Sequence, residues 1–163
     1  MRVVNKSIFI KTERDMRSLG RAMAAILPDV ITIFLYGELG AGKTTLVRAI
    51  IQSFAKKQTV RSPTFTIVEP YEIDHRRIYH FDLYRFVSAE ELDFIGAREY
   101  FGAGICLVEW PEKGAGFLPP SDLDFQITIK DDTRLIHLRA NTRVGEAVLL
   151  SSRGVSATRQ FRC

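Results

Sequence analysis

Residues Gly37-Glu38-Leu39-Gly40-Ala41-Gly42-Lys43-Thr44 fit the pattern G-x-x-x-x-G-K-[ST], and each residue type in it has a task at a phosphate chain. Glycines let successive backbone N–H groups curl inward around phosphate oxygens without Cβ clashes. A helix opening at Lys43 adds the partial positive charge of its N-terminus. The Lys43 ammonium is expected to reach the β- and γ-phosphates, and the Thr44 hydroxyl to ligate a Mg²⁺ that bridges the same two groups. Thr45 completes the expected nucleotide-binding set. The glycine spacing is not that of the dinucleotide fingerprint, so a nucleoside triphosphate is the expected ligand.

Such a loop needs a magnesium-associated acid at the end of a neighbouring strand and a group that orients a water. Two acids qualify. Asp82 follows Tyr79-His80-Phe81, and Glu109 follows the apolar run Ile105-Cys106-Leu107-Val108. A carboxylate ending a buried strand is costly unless a cation or hydrogen bonds meet it, although either acid taken alone could be a salt-bridged strand end. Ser62-Pro63-Thr64-Phe65 is a polar break before a strand. Thr64 there could cap a γ-phosphate as a switch-loop threonine, or simply start the strand. Trp110, the one tryptophan, reads equally as core packing or as a neighbour of the nucleotide. His75, His80 and His137 show neither metal spacing nor a nucleophile partner and read as surface or packing residues. Arg61 and Arg85 read as solvated rather than as arginine fingers. Asp93-Phe94-Ile95-Gly96 matches the D-x-x-G of small GTPases but falls in a helical stretch, and no Asn-Lys-x-Asp guanine-reading segment follows.

Several elements must position these groups. Ser7–Lys11 reads as a short strand, and Thr12-Glu13-Arg14-Asp15 as a capping box opening a helix with Met16, Leu19, Met23, Ile26 and Leu27 at helical spacing. Val30–Tyr36 is a β-branched apolar run of the kind buried on both sheet faces, and it leads directly into the glycine-rich loop. Leu46, Val47, Ile50, Ile51 and Phe54 then form one helical stripe. Thr64–Ile73 and Ile78–Phe86 read as paired strands, the first confined to a sheet edge or carrying a bulge because Pro70 cannot donate a ladder hydrogen bond. Residues 88–102 read as one or two short helices broken at Gly96, Gly104–Trp110 as a buried strand, and Leu123–Ile129 with Leu135–Ala140 as a hairpin turning at Asp131-Asp132. Strand, glycine-rich loop and helix, followed by further strands, imply an α/β fold: a three-layer P-loop NTPase with a mainly parallel central sheet extended by antiparallel hairpin strands.

The 163 residues, 46% hydrophobic and 26% charged, suit one soluble globular domain. No apolar run approaches the ~20 residues of a membrane span. Met1–Ser7 lacks the apolar core of a secretory signal, and two cysteines make no disulfide framework, so a reducing cytoplasmic setting is expected. The net charge is +4, which would suggest nucleic acid. Much of the excess sits in residues 141–163, where Arg143, Arg153, Arg159 and Arg162 oppose only Glu146. The expected organisation is an ATPase domain over residues 1–140 and a basic, unstructured tail over 141–163.

Taken together, Tyr36–Thr45, Ser62–Thr66, His80-Phe81-Asp82-Leu83-Tyr84-Arg85 and Val108-Glu109-Trp110-Pro111-Glu112 resemble, in order and spacing, the TsaE family of small bacterial P-loop ATPases that act in threonylcarbamoyl modification of tRNA. The resemblance covers about residues 7–140. It implies that Thr64 lies on a switch-like loop, that Asp82 belongs to the Mg²⁺ site, that Glu109 is a catalytic or magnesium-linked acid, and that Trp110 is near the nucleotide. It implies ATP and Mg as cofactors. It also implies a TsaD-like transferase and a TsaB-like companion as partners, with tRNA met through their complex. The residues alone leave two other readings open: a small-molecule kinase using segment 88–102 as a lid, and a non-catalytic nucleotide-gated binding module.

Overall fold

The structure is a computed structural model and is described for residues 4–88 and 90–152. Its first strand, β1 (Asn5–Ile10), leads to helix α1 (Glu13–Ala24). The expected capping box is present. Thr12 Oγ1 accepts from the Asp15 backbone N–H at 3.1 Å, and Asp15 Oδ2 accepts from the Thr12 N–H at 2.9 Å. Together they satisfy two of the donors that a helix N-terminus leaves unpaired. The face of α1 carrying Met16, Leu19 and Met23 is buried.

Strand β2 (Ile31–Tyr36) enters the phosphate loop, and α2 (Lys43–Phe54) leaves it. Leu46, Val47, Ile50 and Ile51 of α2 are fully buried, each contributing about 1.5–3 kcal/mol of apolar transfer. Helices α1 and α2 lie close together. A Cβ on Gly20 would stand 2.5 Å from the Ala49 Cβ, so only hydrogen at position 20 admits this approach.

Strands β3 (Val68–Ile73) and β4 (Arg76–Asp82) form an antiparallel pair, followed by α3 (Glu90–Phe94), β5 (Ile105–Glu109), the hairpin β6 (Leu123–Lys130) and β7 (Thr133–Ala140), and α4 (Arg143–Ser151). All seven strands join one mixed sheet in the order β1-β7-β6-β2-β5-β4-β3. Its centre is parallel, with β2 flanked by β5 and β6 and β4 beside β5. Antiparallel pairings finish both sides. This is the α/β architecture expected from the sequence, and Pro70 lies in an edge strand as its missing N–H requires.

One buried cluster gathers side chains of α1, α2 and α4 with residues such as Ile33, Leu107 and Phe125 from the strands. A second, rich in aromatics, packs Tyr79, Phe81 and Val108 with Phe86, Leu92 and Ala97. Among the described residues, no helix is long and apolar enough to cross a membrane.

The structure departs from the sequence reading in three places. Strand β4 ends at Asp82, so residues 83–86, expected to continue it, form a turn instead. Thr64–Thr66 form a turn rather than strand, because Ile67 takes φ 69° and redirects the chain before β3 begins. The tail starting at 141 is also not unstructured throughout. Thr142 caps α4 by accepting from the Gly145 N–H at 3.2 Å, Asp122 Oδ1 accepts from the Thr142 hydroxyl at 2.6 Å, and Val148 and Leu149 join the core. The remainder of that segment, 153–163, lies outside the described residues.

Candidate functional site

Because β2, β4 and β5 are parallel, their carboxyl ends share one edge of the sheet, the edge where α/β folds bind ligands. The phosphate loop continues from β2 at that edge. Gly42, the N-cap of α2, has φ 105°, a left-handed conformation that favours glycine. Gly37 is constrained by contact as well, since a Cβ there would approach the Ile127 carbonyl to 2.8 Å. Ala41 N–H donates to the Glu38 carbonyl at 3.1 Å, which closes the loop, and Leu46 N–H donates to the Gly42 carbonyl at 3.0 Å, which starts the helix.

Lys43 is 4% exposed. Its ammonium donates to the carbonyls of Gly37 and Glu38 at 2.6 and 2.9 Å and stands 3.9 Å from the centre of the Trp110 ring. Burial pushes its pKa below the ordinary lysine value, while Glu109, Glu112, Asp82 and Glu38 pull in the opposite direction. Trp110 follows β5 in a left-handed conformation, φ 57°, and packs on Tyr84 with ring centres 4.9 Å apart. Trp110 thus stands beside the phosphate loop and also packs against the aromatic core cluster.

Asp82 and Glu109 are register partners at the ends of β4 and β5. Both are buried, at 7% and 2% exposure. Glu109 is met by hydrogen bonds. The Thr44 hydroxyl lies 3.0 Å from each of its oxygens, and His80 Nε2 lies 2.7 Å from Oε1. Asp82 Oδ1 accepts from the Tyr84 N–H at 3.0 Å, and its Oδ2 accepts from the hydroxyls of Ser62 and Thr64, each at 3.3 Å. The turn carrying Thr64 is tied down by Ile67. Its N–H donates to the Pro63 carbonyl at 2.7 Å, and its carbonyl accepts from Asp82 N–H at 2.9 Å.

These groups surround a cavity of about 380 Å³ lined in part by Gly40, Gly42, Lys43, Thr44, Thr45, Thr64, Asp82, Glu109 and Trp110, with Leu39 at its rim. Gly37 and Glu38 contribute carbonyls to Lys43, and Ala41 is buried behind the loop. A second recess of about 230 Å³ lies beside the loop, between Lys11–Glu13 and Met16 on one side and Asp132 and Arg134 on the other.

Sequence reasoning missed two members. Ser62 reads from sequence only as part of a turn. His80, which reads from sequence as surface or packing, is wholly buried and in addition meets Glu109; its place two residues before Asp82, on the same strand face, was the available signal. Arg85 is exposed and lines the same cavity, with its guanidinium over the Phe65 ring, whereas Asp93 pairs with Arg98.

Among the described residues, no group of three or more His, Cys, Asp or Glu is arranged to hold a metal by itself. A hydroxyl and two carboxylates at a phosphate loop fit Mg²⁺ nonetheless. This ion keeps several waters and takes one or two carboxylates together with phosphate oxygens.

The chain is similar to several known proteins. Residues 10–136 match the family model "Threonylcarbamoyl adenosine biosynthesis protein TsaE". The chain is 45% identical over 147 residues to the tRNA threonylcarbamoyladenosine biosynthesis protein TsaE of Haemophilus influenzae, covering 86% of this chain and 93% of that one. It is 37% identical over 131 residues to the corresponding protein of Aquifex aeolicus, covering 79% and 91%. The crystal structure of Bacillus subtilis YdiB superposes with a TM-score of 0.77 at 29% identity, over 93% of this chain and 95% of that one.

Proposed function

The chain belongs to the TsaE family, and on that premise we propose that it is a Mg²⁺-dependent ATPase supporting turnover of the complex that places threonylcarbamoyl on the adenosine next to the anticodon. Its partners in this reading are a TsaD-like transferase and a TsaB-like companion in the cytoplasm, with tRNA met through them. The observation that carries the reading is the meeting of Thr44, Asp82 and Glu109 at the mouth of the Gly37–Thr44 loop, with Thr64 hydrogen-bonded to Asp82.

In this mechanism the backbone N–H groups of the loop and the start of α2 hold the β- and γ-phosphates. The Lys43 ammonium is already aimed into the loop and neutralises charge there. The recess beside Lys11–Glu13 gives the nucleoside room. Thr44 and Asp82 would hold Mg²⁺, which would supply neutralisation of the phosphate charge. Glu109 would orient the attacking water, and Thr64 would bring its loop to the γ-phosphate so that the loop senses triphosphate against diphosphate. Little covalent help is required, and positioning and electrostatics supply the rate.

The test is hydrolysis of ATP by purified, folded Lys43→Ala and Asp82→Ala, alone and with the partner proteins. Both should lose it, and wild-type turnover in either would refute the role given to that residue. A pull-down from cell extract with and without a non-hydrolysable ATP analogue tests the partners, and the transferase pair should be recovered.

A further inference from the structure

Glu109 has two oxygens, and the structure treats them differently. The Thr44 hydroxyl sits 3.0 Å from both and so does not distinguish them. His80 does. Its Nε2 contacts Oε1 alone, at 2.7 Å, from a side chain that is 0% exposed. The contact is built by the sheet. His80 pairs in register with Leu107, and Glu109 lies two residues further along β5 on the same face, a diagonal neighbour within reach of a long side chain.

With Glu109 ionised, a 2.7 Å contact is attractive only if the proton is on Nε2. That tautomer turns the Nδ1 lone pair inward, where Nδ1 is buried without a hydrogen-bond partner among the described residues. A buried unpaired polar atom is destabilising, so packing alone does not account for a histidine here. Tyr79 and Phe81, its neighbours on the opposite face of β4, pack without such a penalty in the aromatic cluster.

We propose that His80 is a positioning residue that assigns the two oxygens of Glu109 separate tasks. The Nε2–H group holds Oε1 throughout the cycle. Oε2 would be left for the attacking water when the Thr44 hydroxyl serves Mg²⁺ instead of Glu109. Without His80, release of Thr44 would leave the carboxylate with no donor to fix its rotation at the moment it must orient the water. This rests on the ATPase reading above.

The experiment compares two buried polar replacements. His80→Gln places an amide N–H near the position of Nε2, and His80→Asn places one near Nδ1, so a general need for a polar side chain treats them alike. The expected result is near wild-type kcat for His80→Gln. For His80→Asn, kcat should fall roughly 10–100-fold, as when an outer hydrogen-bond partner of a reactive ligand is lost. ATP affinity, read from Trp110 fluorescence, should be unchanged in both. Equal kcat in the two variants, or a change in affinity matching the change in kcat, overturns the proposal.

A second readout does not depend on hydrolysis. Side-chain ¹⁵N NMR of the wild type with Mg²⁺ and a non-hydrolysable ATP analogue should show the Nε2–H tautomer with a hydrogen-bonded proton, and an Nδ1–H tautomer overturns the proposal. Wild type that binds ATP but never turns it over, even with its partners, refutes the ATPase reading, while the NMR result still decides the role of His80.

Discussion

Gly20→Ala tests whether the spacing of α1 and α2 is set by contact. The new Cβ would stand 2.5 Å from the Ala49 Cβ and 3.1 Å from the Leu46 carbonyl oxygen, so the helices must separate or the backbone must shift. Separation opens space beside Leu46, Val47, Ile50 and Ile51, which are fully buried. Overpacking of this kind costs about 1–3 kcal/mol. Replacing a helix-interior glycine by alanine returns about 0.8–1.0 kcal/mol of propensity, so the expected net loss is about 1 kcal/mol, or a Tm lower by about 2–4 °C in a chain of this size. The partner variant Ala49→Gly should also destabilise, through propensity. The double variant should be more stable than the sum of the singles by about 1–2 kcal/mol, because the colliding methyl has been removed. Urea unfolding of all four proteins measures each term. Gly20→Ala at or above wild-type stability, or strict additivity in the double variant, would refute the contact argument.

Three further outcomes are expected. Because burial lowers the Lys43 pKa, the unfolded chain holds that proton more tightly, and the residue's contribution to stability rises with pH through the window between its folded value and 10.5. Lys43→Met should flatten that rise in denaturation series at pH 7 to 10 while weakening ATP binding at least tenfold, and an unchanged rise would count against it. Thr64→Val removes the hydroxyl donor to Asp82 and should lower ATP hydrolysis without altering ADP affinity, as calorimetry and phosphate release can check. Burial pushes the Cys106 thiol up to about 12, so a maleimide at pH 8 should label it only as fast as the protein opens; with Cys163 also present, peptide mapping assigns the label, and rapid native labelling at Cys106 would contradict the burial.

The parts of the fold and site that were readable from sequence are those governed by local chemistry. The Thr12–Asp15 box, the buried β2 run, the glycine loop and the break at Gly96 each follow from neighbouring residue types. Asp82 and Glu109 were recognisable as strand-end acids, but their meeting depends on β4 and β5 lying side by side, a long-range pairing that no local pattern encodes. The contact of His80 with Glu109 was hidden for the same reason, since its partner is on another strand. Helix α4 was masked by its setting. An arginine-rich composition suggested solvated chain, although Thr142, Val148 and Leu149 already carried a cap and an apolar stripe.

Pro70 has a consequence beyond the pairing of β3 with β4. An outermost strand offers unpaired backbone groups as a template for another chain, and β3 occupies that position. The pyrrolidine ring is exposed there and supplies no N–H, and the acidic Glu69 and Glu72 stand on either side of it. A second molecule adding its own strand would meet a gap in the ladder and a bulky ring. The residue that weakens β3 as a strand thereby protects the sheet against growing into a polymer.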